Sequence, residues 1–132
     1  MGVVFITGAG RRIGRGLAEK FAGAGWDVAV HYHTPGEEPA QFARDLAGRF
    51  GVRTCAVQAD VRSAEEMKRA FADATAVLGP LTLLVNNAGV FPERRSLQAM
   101  TEEYWDAVLD TNLRGQLTAA REFCAVCKPT ES

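Results

Sequence analysis

The chain has 132 residues, which is the size of one domain able to bury roughly 65–70% of its extended-state surface. Hydrophobic residues make up 47% and charged residues 23%, the balance of an ordinary globular protein. Fifteen basic against sixteen acidic residues leave a net charge of −1, which argues against a nucleic-acid-coating surface or a polybasic membrane patch.

The elements alternate between two hydrophobic periods. Val3–Thr7 is a short apolar run ending in Gly8, bounded like a buried parallel strand. Ile13, Leu17, Phe21 and Ala24 are spaced for one face of a helix that Gly23 and Gly25 stop. Asp27–His33 reads as a second strand, Phe42, Leu46 and Phe50 as a second helix closed by Gly51, and Val52–Val57 as a third strand. Ser63 and Glu66 have capping-box spacing, so the Ser side chain should take the N3 amide while the Glu reaches back. Met67, Ala70, Phe71, Ala74, Val77 and Leu78 continue that third helix to Gly79-Pro80. Leu81–Val85 is a fourth strand, and Tyr104, Val108 and Leu113 mark a fourth helix after a loop through Pro92.

The order βαβαβαβα forces parallel strands, because crossovers of ten or more residues return the chain in the same direction, and such crossovers are right-handed. The expected fold is α/β, a Rossmann-type doubly wound parallel sheet with strand order 3-2-1-4. Residues 1–132 should form one nucleotide-binding domain.

The first strand-to-helix turn reads Thr7-Gly8-Ala9-Gly10-Arg11-Arg12-Ile13-Gly14. A turn of this kind points free backbone N–H groups at one spot, and the helix dipole favours an anion there. Gly8 would make the sharp turn, and Gly14 would let the helix start pack near a ligand. No Gly-Lys-Ser/Thr follows, which disfavours a P-loop nucleotidase. A carboxylate at the end of the second strand would bind a ribose 2′-OH and repel a 2′-phosphate. Here that strand ends His31-Tyr32-His33-Thr34, without an acid, while Arg11 and Arg12 bring positive charge. NADP(H) is therefore favoured over NAD(H). The plainer reading of His31 and His33 is strand alternation, one side chain in and one out.

These features resemble the N-terminal half of the short-chain dehydrogenase/reductase family. The resemblance rests on Thr7-Gly8 with Gly14, on Asp60-Val61 after the third strand, on Asn86-Asn87-Ala88-Gly89 after the fourth, and on Asp110-Thr111-Asn112 in the fourth helix. It covers residue 3 to about residue 115. Arg12, where the family usually has its middle glycine, and His31-Tyr32-His33 look like the pteridine-reductase branch, whose members use NADPH. Thr34 stands where that branch often has Arg, and Gly89 where it often has Ser.

The resemblance implies roles for particular residues. Gly8, Arg11, Arg12, Ile13 and Gly14 would hold the pyrophosphate and 2′-phosphate side, and Tyr32, His33 and Thr34 would line the 2′-phosphate. Asp60 and Val61 would contact adenine, and Asn87, Ala88 and Gly89 would line the nicotinamide-side ribose. Asn112 is the one member of the family's catalytic tetrad that finds a match. The family's Tyr stands four residues before its Lys, but here Tyr32 is followed by Gly36 and Tyr104 by Val108. Ser63, Ser96 and Ser132 match no catalytic position. Hydride transfer to a carbonyl or pterin-type substrate would thus belong to a complete enzyme, and this chain alone should be inactive.

The expectation is a fragment or frame-altered product that stops before strand five. The rival is a short non-catalytic protein that binds NADPH or a partner. Pro129 would break the last helix. A fourth strand without a fifth would leave an uncovered apolar edge and invite self-association. Cys124 and Cys127 form a lone CxxC pair, read as ordinary thiols with no metal site. Glu93-Arg94-Arg95 reads as a solvated loop. The few, odd-numbered cysteines, the lack of an ~18-residue apolar run and the lack of a signal-like N-terminus point to a cytoplasmic setting, with no nucleic-acid or membrane partner.

Overall fold

The computed structural model describes residues 1–90 and 95–127. Pro92, Glu93, Arg94, Pro129 and Ser132, named above, lie outside the described residues. The elements run β1 (Val3–Ile6), α1 (Arg12–Gly23), β2 (Asp27–Tyr32), α2 (Glu38–Phe50), β3 (Thr54–Gln58), α3 (Ala64–Leu78) and β4 (Leu83–Val85). A short 3-10 turn (Leu97–Ala99) then leads into α4 (Glu102–Leu109), a π-helical turn (Asp110–Arg114) and α5 (Gly115–Val126). The four strands pair in parallel in the order β3-β2-β1-β4.

Strand alternation divides the core in two. On β1 and β2, Val4, Ile6, Val28 and Val30 face one side and pack with Ala18, Ala22, Phe42, Ala43 and Leu46 of α1 and α2. Val3, Phe5 and Ala29 face the other and pack with Met67, Ala70, Phe71, Ala74 and Leu78 of α3 and with Ala119 of α5. Both faces are covered, so both side-chain sets of a central strand are apolar. Phe71 lies at the middle of the second layer, fully buried, its ring 4.4 Å from Phe5 and 5.9 Å from Phe123.

Four local expectations are corrected. The buried stripe of α1 is Gly14, Ala18 and Ala22, one residue on from the predicted row, with Leu17 and Phe21 half-buried beside it. Small residues let the helix lie close to the sheet, and Ile13 and Ala24 are turned outward. β4 begins at Leu83, not Leu81. The Thr82 hydroxyl accepts the Val3 N–H at 2.9 Å, so a side chain takes the ladder's place there, while Leu81 is a fully buried core residue. The capping box at Ser63 is half formed. Ser63 Oγ accepts the Glu66 N–H at 3.2 Å, but the Glu66 carboxylate faces the Asp60 N–H, and the Ser63 N–H goes to the Asp60 carbonyl. The fourth helix is two α-helices joined by a π turn, an insertion of one residue that periodicity alone does not reveal.

Replacing Phe71 with Ala should lower unfolding free energy by about 3–5 kcal/mol, since the ring is fully enclosed by two aromatic neighbours and the sheet. Against a typical total of about 5–15 kcal/mol, urea denaturation should show a much earlier midpoint.

Candidate functional site

The carboxyl ends of all four strands open onto one rim. Between β1 and β4 the strand order reverses, and such a switch point is where open parallel sheets take ligands. The structure brings to this rim the Thr7–Gly14 turn after β1, Tyr32-His33-Thr34 after β2, Asp60-Val61 after β3 and Asn86–Val90 after β4.

The turn after β1 is held from two sides. Toward β4, the buried Thr7 hydroxyl accepts the N–H groups of Asn87 and Ala88, each at 2.9 Å. The Asn87 amide donates back to the Thr7 and Gly8 carbonyls at 3.2 and 3.3 Å. Toward β2, the Gly8 N–H donates to His31 Nδ1 at 3.0 Å. An amide can only donate, so Nδ1 is the acceptor and Nε2 carries the proton. Nε2–H then donates to the Ala59 carbonyl at 2.8 Å. Burial, the largest influence, pushes the His31 pKa down from 6.5 to about 4, outweighing the Ala59 bond and Asp60.

Gly8 has φ +65°, a left-handed conformation that favours glycine. Gly14 is required for close approach. A Cβ there would overlap the Gly8 carbonyl and the Asn87 amide, so its missing side chain admits the turn itself. Arg12 also has positive φ, +46°, the sole non-glycine residue to do so among the described residues. That conformation costs a side-chain-bearing residue ~1–2 kcal/mol. Arg11, Arg12 and Ile13 are exposed at the rim, Ile13 to 73%. The first amides of α1 lack intrahelical acceptors by helix geometry and remain available to an anion.

Across the rim, Asp60 accepts a forked pair of bonds from Arg62, at 2.7 and 3.0 Å, and the Arg62 backbone N–H at 2.9 Å. The Arg62 side-chain bond holds the Asp60 carboxyl below its usual range, against a smaller opposing effect of burial. His33 Nε2 lies 3.8 Å from the same carboxylate and its side chain is 60% exposed. One histidine is inside and one outside, but not through alternation, which puts residues two apart on one face: His31 lies within β2 and is buried, whereas His33 follows the strand's last residue, Tyr32, and is exposed. Val61 is buried against α5 at Gly115, so its side chain faces the core while its backbone follows the rim.

The π turn presents Asn112 to the loop after β4. Its Oδ1 accepts the Val90 N–H at 2.7 Å and its Nδ2 donates to the Val90 carbonyl at 2.8 Å. The carboxamide acts like a short piece of β-ladder beside Gly89. Asn86 Nδ2 donates to the Gln116 carbonyl on α5 at 3.2 Å.

Sequence reasoning named the rim but missed three of its ties: the Thr7 hydroxyl, the His31 bridge and the Arg62 fork on Asp60. One signal was present. His31 is the lone polar ring in the otherwise buried middle of DVAVHY, and a buried polar side chain must find partners.

This rim, on a parallel sheet wound with helices on both faces, defines a Rossmann-type α/β protein. Residues 2–129 match the short chain dehydrogenase family model, and the chain belongs to that family. It is 39% identical over 110 residues to the 3-oxoacyl-[acyl-carrier-protein] reductase FabG of Staphylococcus aureus, covering 83% of this chain and 44% of that protein. It is 38% identical over 122 residues to the hydroxynaphthalene reductase-like protein Arp2 of Metarhizium majus, covering 90% and 44%. Among solved structures, a dehydrogenase/reductase from Sinorhizobium meliloti superposes with TM-score 0.88 at 30% identity, over 96% of this chain and 49% of that one. A Serratia marcescens short-chain dehydrogenase/reductase variant gives 0.87 at 27% identity, over 96% and 51%. The chain spans about half the length of the relatives it matches.

Two outcomes follow from this geometry. Arg12→Gly should stabilise the fold by about 0.5–1 kcal/mol, the relieved backbone strain less the added chain entropy of glycine, read as a later thermal transition. Stability should also fall with acid. His31 is neutral when folded, and only the unfolded imidazole gains a proton just below pH 6.5. Its contribution is complete above 6.5 and lost as pH falls to about 4, by roughly 3 kcal/mol in all. Urea midpoints of a His31→Phe variant should lack that part of the acid slope.

Proposed function

We propose that this chain is the NADP(H)-binding part of a short-chain dehydrogenase/reductase oxidoreductase of the cytoplasm, inactive by itself. The observation that carries the reading is the turn after β1, with two exposed guanidinium groups beside it and no carboxylate at the end of β2. The donor set suits a phosphorylated dinucleotide. Gly8 and Gly14 shape the turn, and the helix-start amides with Arg11 and Arg12 supply donors to the pyrophosphate and 2′-phosphate side, with Ile13 as apolar cover. Tyr32, His33 and Thr34 line the 2′-phosphate. Asp60, kept ionised by Arg62, and the Val61 backbone meet adenine. Asn87, Ala88 and Gly89 border the nicotinamide-side ribose, and Asn112 orders the Val90 segment beside them.

The bound cofactor would supply a hydride, and in the complete enzyme a carbonyl or pterin-type carbon would accept it. Arg12 and His31-Tyr32-His33 favour the pteridine-reductase-like branch. The names of the Staphylococcus and Metarhizium relatives point instead to oxoacyl and hydroxynaphthalene substrates. Neither tyrosine of the chain stands four residues before a lysine, so no phenol is paired to donate the proton.

The same observation favours a second reading, a non-catalytic protein that binds NADPH or a partner. The far edge of β4 has no strand partner among the described residues, and Leu83, Leu84 and Val85 there are half-buried. A stable monodisperse chain that binds NADPH without turnover supports this reading. Self-association through the β4 edge supports the fragment.

Isothermal titration calorimetry should show NADPH binding at least tenfold tighter than NADH. Replacing Arg11 and Arg12 with Ala should erase most of that preference, since each charge-assisted bond contributes about 1.5–3 kcal/mol. Equal affinity for the two cofactors would overturn the NADP(H) assignment. Steady NADPH-dependent reduction of diketones or biopterin by the 132-residue chain would overturn its inactivity.

A further inference from the structure

We infer that His31 is a positioning residue for the cofactor turn, and that its Nε2-protonated imidazole sets which backbone amides that turn offers to phosphate. This rests on the NADP(H) reading above. The geometry is a two-bond bridge through one buried ring, from the Gly8 N–H to Nδ1 at 3.0 Å and from Nε2–H to the Ala59 carbonyl at 2.8 Å. The ring is 1% exposed and lies 5.9 Å from Phe5, so it has no room to swing to other partners.

The consequence concerns the Gly8 peptide. An unclaimed Gly8 N–H would be one more donor in a turn already rich in them, and a left-handed glycine can flip to present it. His31 removes that donor and fixes the peptide plane. With Asn87 bonded to the Thr7 and Gly8 carbonyls, the turn is pinned on both flanks. The next amides, at the start of α1, then keep one orientation, and preorganised donors bind more tightly than donors that must be ordered. The same ring joins the turn to Ala59, the residue before Asp60, so the phosphate and adenine ends of the rim share one bridge.

The bridge also depends on charge. A doubly protonated ring has no acceptor for the Gly8 N–H, and burial reserves that state for acid near pH 4. The titratable and charged groups at this end of the sheet include Arg11 and Arg12 after β1, Tyr32 and His33 at the end of β2, Asp60 and Arg62 after β3, and Glu66 on α3, of which His33 and Asp60 act on the imidazole. β1 faces the ring with the uncharged Phe5.

The test is NADP+ binding to the 132-residue chain by calorimetry from pH 3.5 to 8, for wild type, His31→Phe and His31→Gln. NADP+ is used because it tolerates acid. The inference expects His31→Phe to bind at least tenfold more weakly at pH 7.5 and its Gly8 amide to exchange faster with solvent. His31→Gln, which keeps a donor and an acceptor but cannot ionise, should recover part of the affinity. It should also lack the acid limb that wild type shows as pH falls to about 4, while the limb due to the ligand's phosphate remains in both. Folded His31→Phe protein that binds within twofold of wild type would overturn the inference and leave the NADP(H) reading standing. Wild type that binds no NADP+ would overturn both. If His31→Phe does not fold, the pH profiles of wild type and His31→Gln decide, and coincident profiles count against the bridge.

Discussion

The rim depends on one peptide, the link between Thr7 and Gly8 at the end of the central strand. Its hydrogen-bonding groups and the Thr7 hydroxyl are all claimed by other strands: Val85 and the Asn87-Ala88 amides from the β4 side, His31 from β2. A turn that must leave a sheet, reverse into a helix and still present donors outward has few groups left to hold itself. The neighbouring strands hold it instead. Buried polar groups of this kind are costly unless paired, and no buried side-chain N or O among the described residues lacks a partner. The polar rim is therefore as much a packing device as the two apolar layers beneath it.

The family's glycine positions can be separated by what each must do. Gly8 is needed for its backbone angle and Gly14 for contact with the Gly8 carbonyl and Asn87. Arg12 occupies a left-handed position with a charged side chain. Backbone strain of this kind clusters at ligand clamps and switch regions, and here it falls on an exposed guanidinium beside the free amides that open α1. Asn112 offers a parallel case. A π turn, which interrupts regular helix bonding, delivers its carboxamide to the Val90 backbone. In both places a local irregularity serves the rim.

The architecture was legible from the sequence because strand and helix periods alternate without a break from Val3 to Leu78. Crossover length and handedness then make the strands parallel, and the order 3-2-1-4 is that of a Rossmann-type half. The glycine turn, the Asn86–Gly89 segment and the missing acid after β2 were legible as residue types at the ends of strands. The stripe of α1, the start of β4, the half-formed capping box and the π turn were not. Each depends on a partner far along the chain: the sheet beneath Ala18 and Ala22, the Val3 amide for Thr82, the Asp60 peptide for Glu66 and Ser63, and the Val90 peptide for Asn112.

Sequence by itself determined the class of fold and the residue types that stand where the strands end, because these follow from local period, residue type and chain order. Tertiary structure alone decided which polar groups are already taken. Whether His31 is a bridge or a surface ring, whether Asp60 stands free or is held by Arg62, and whether Val61 offers a side chain or only its backbone depend on distances between strands. Those distances are set when the two cores pack, and no pattern confined to one segment contains them.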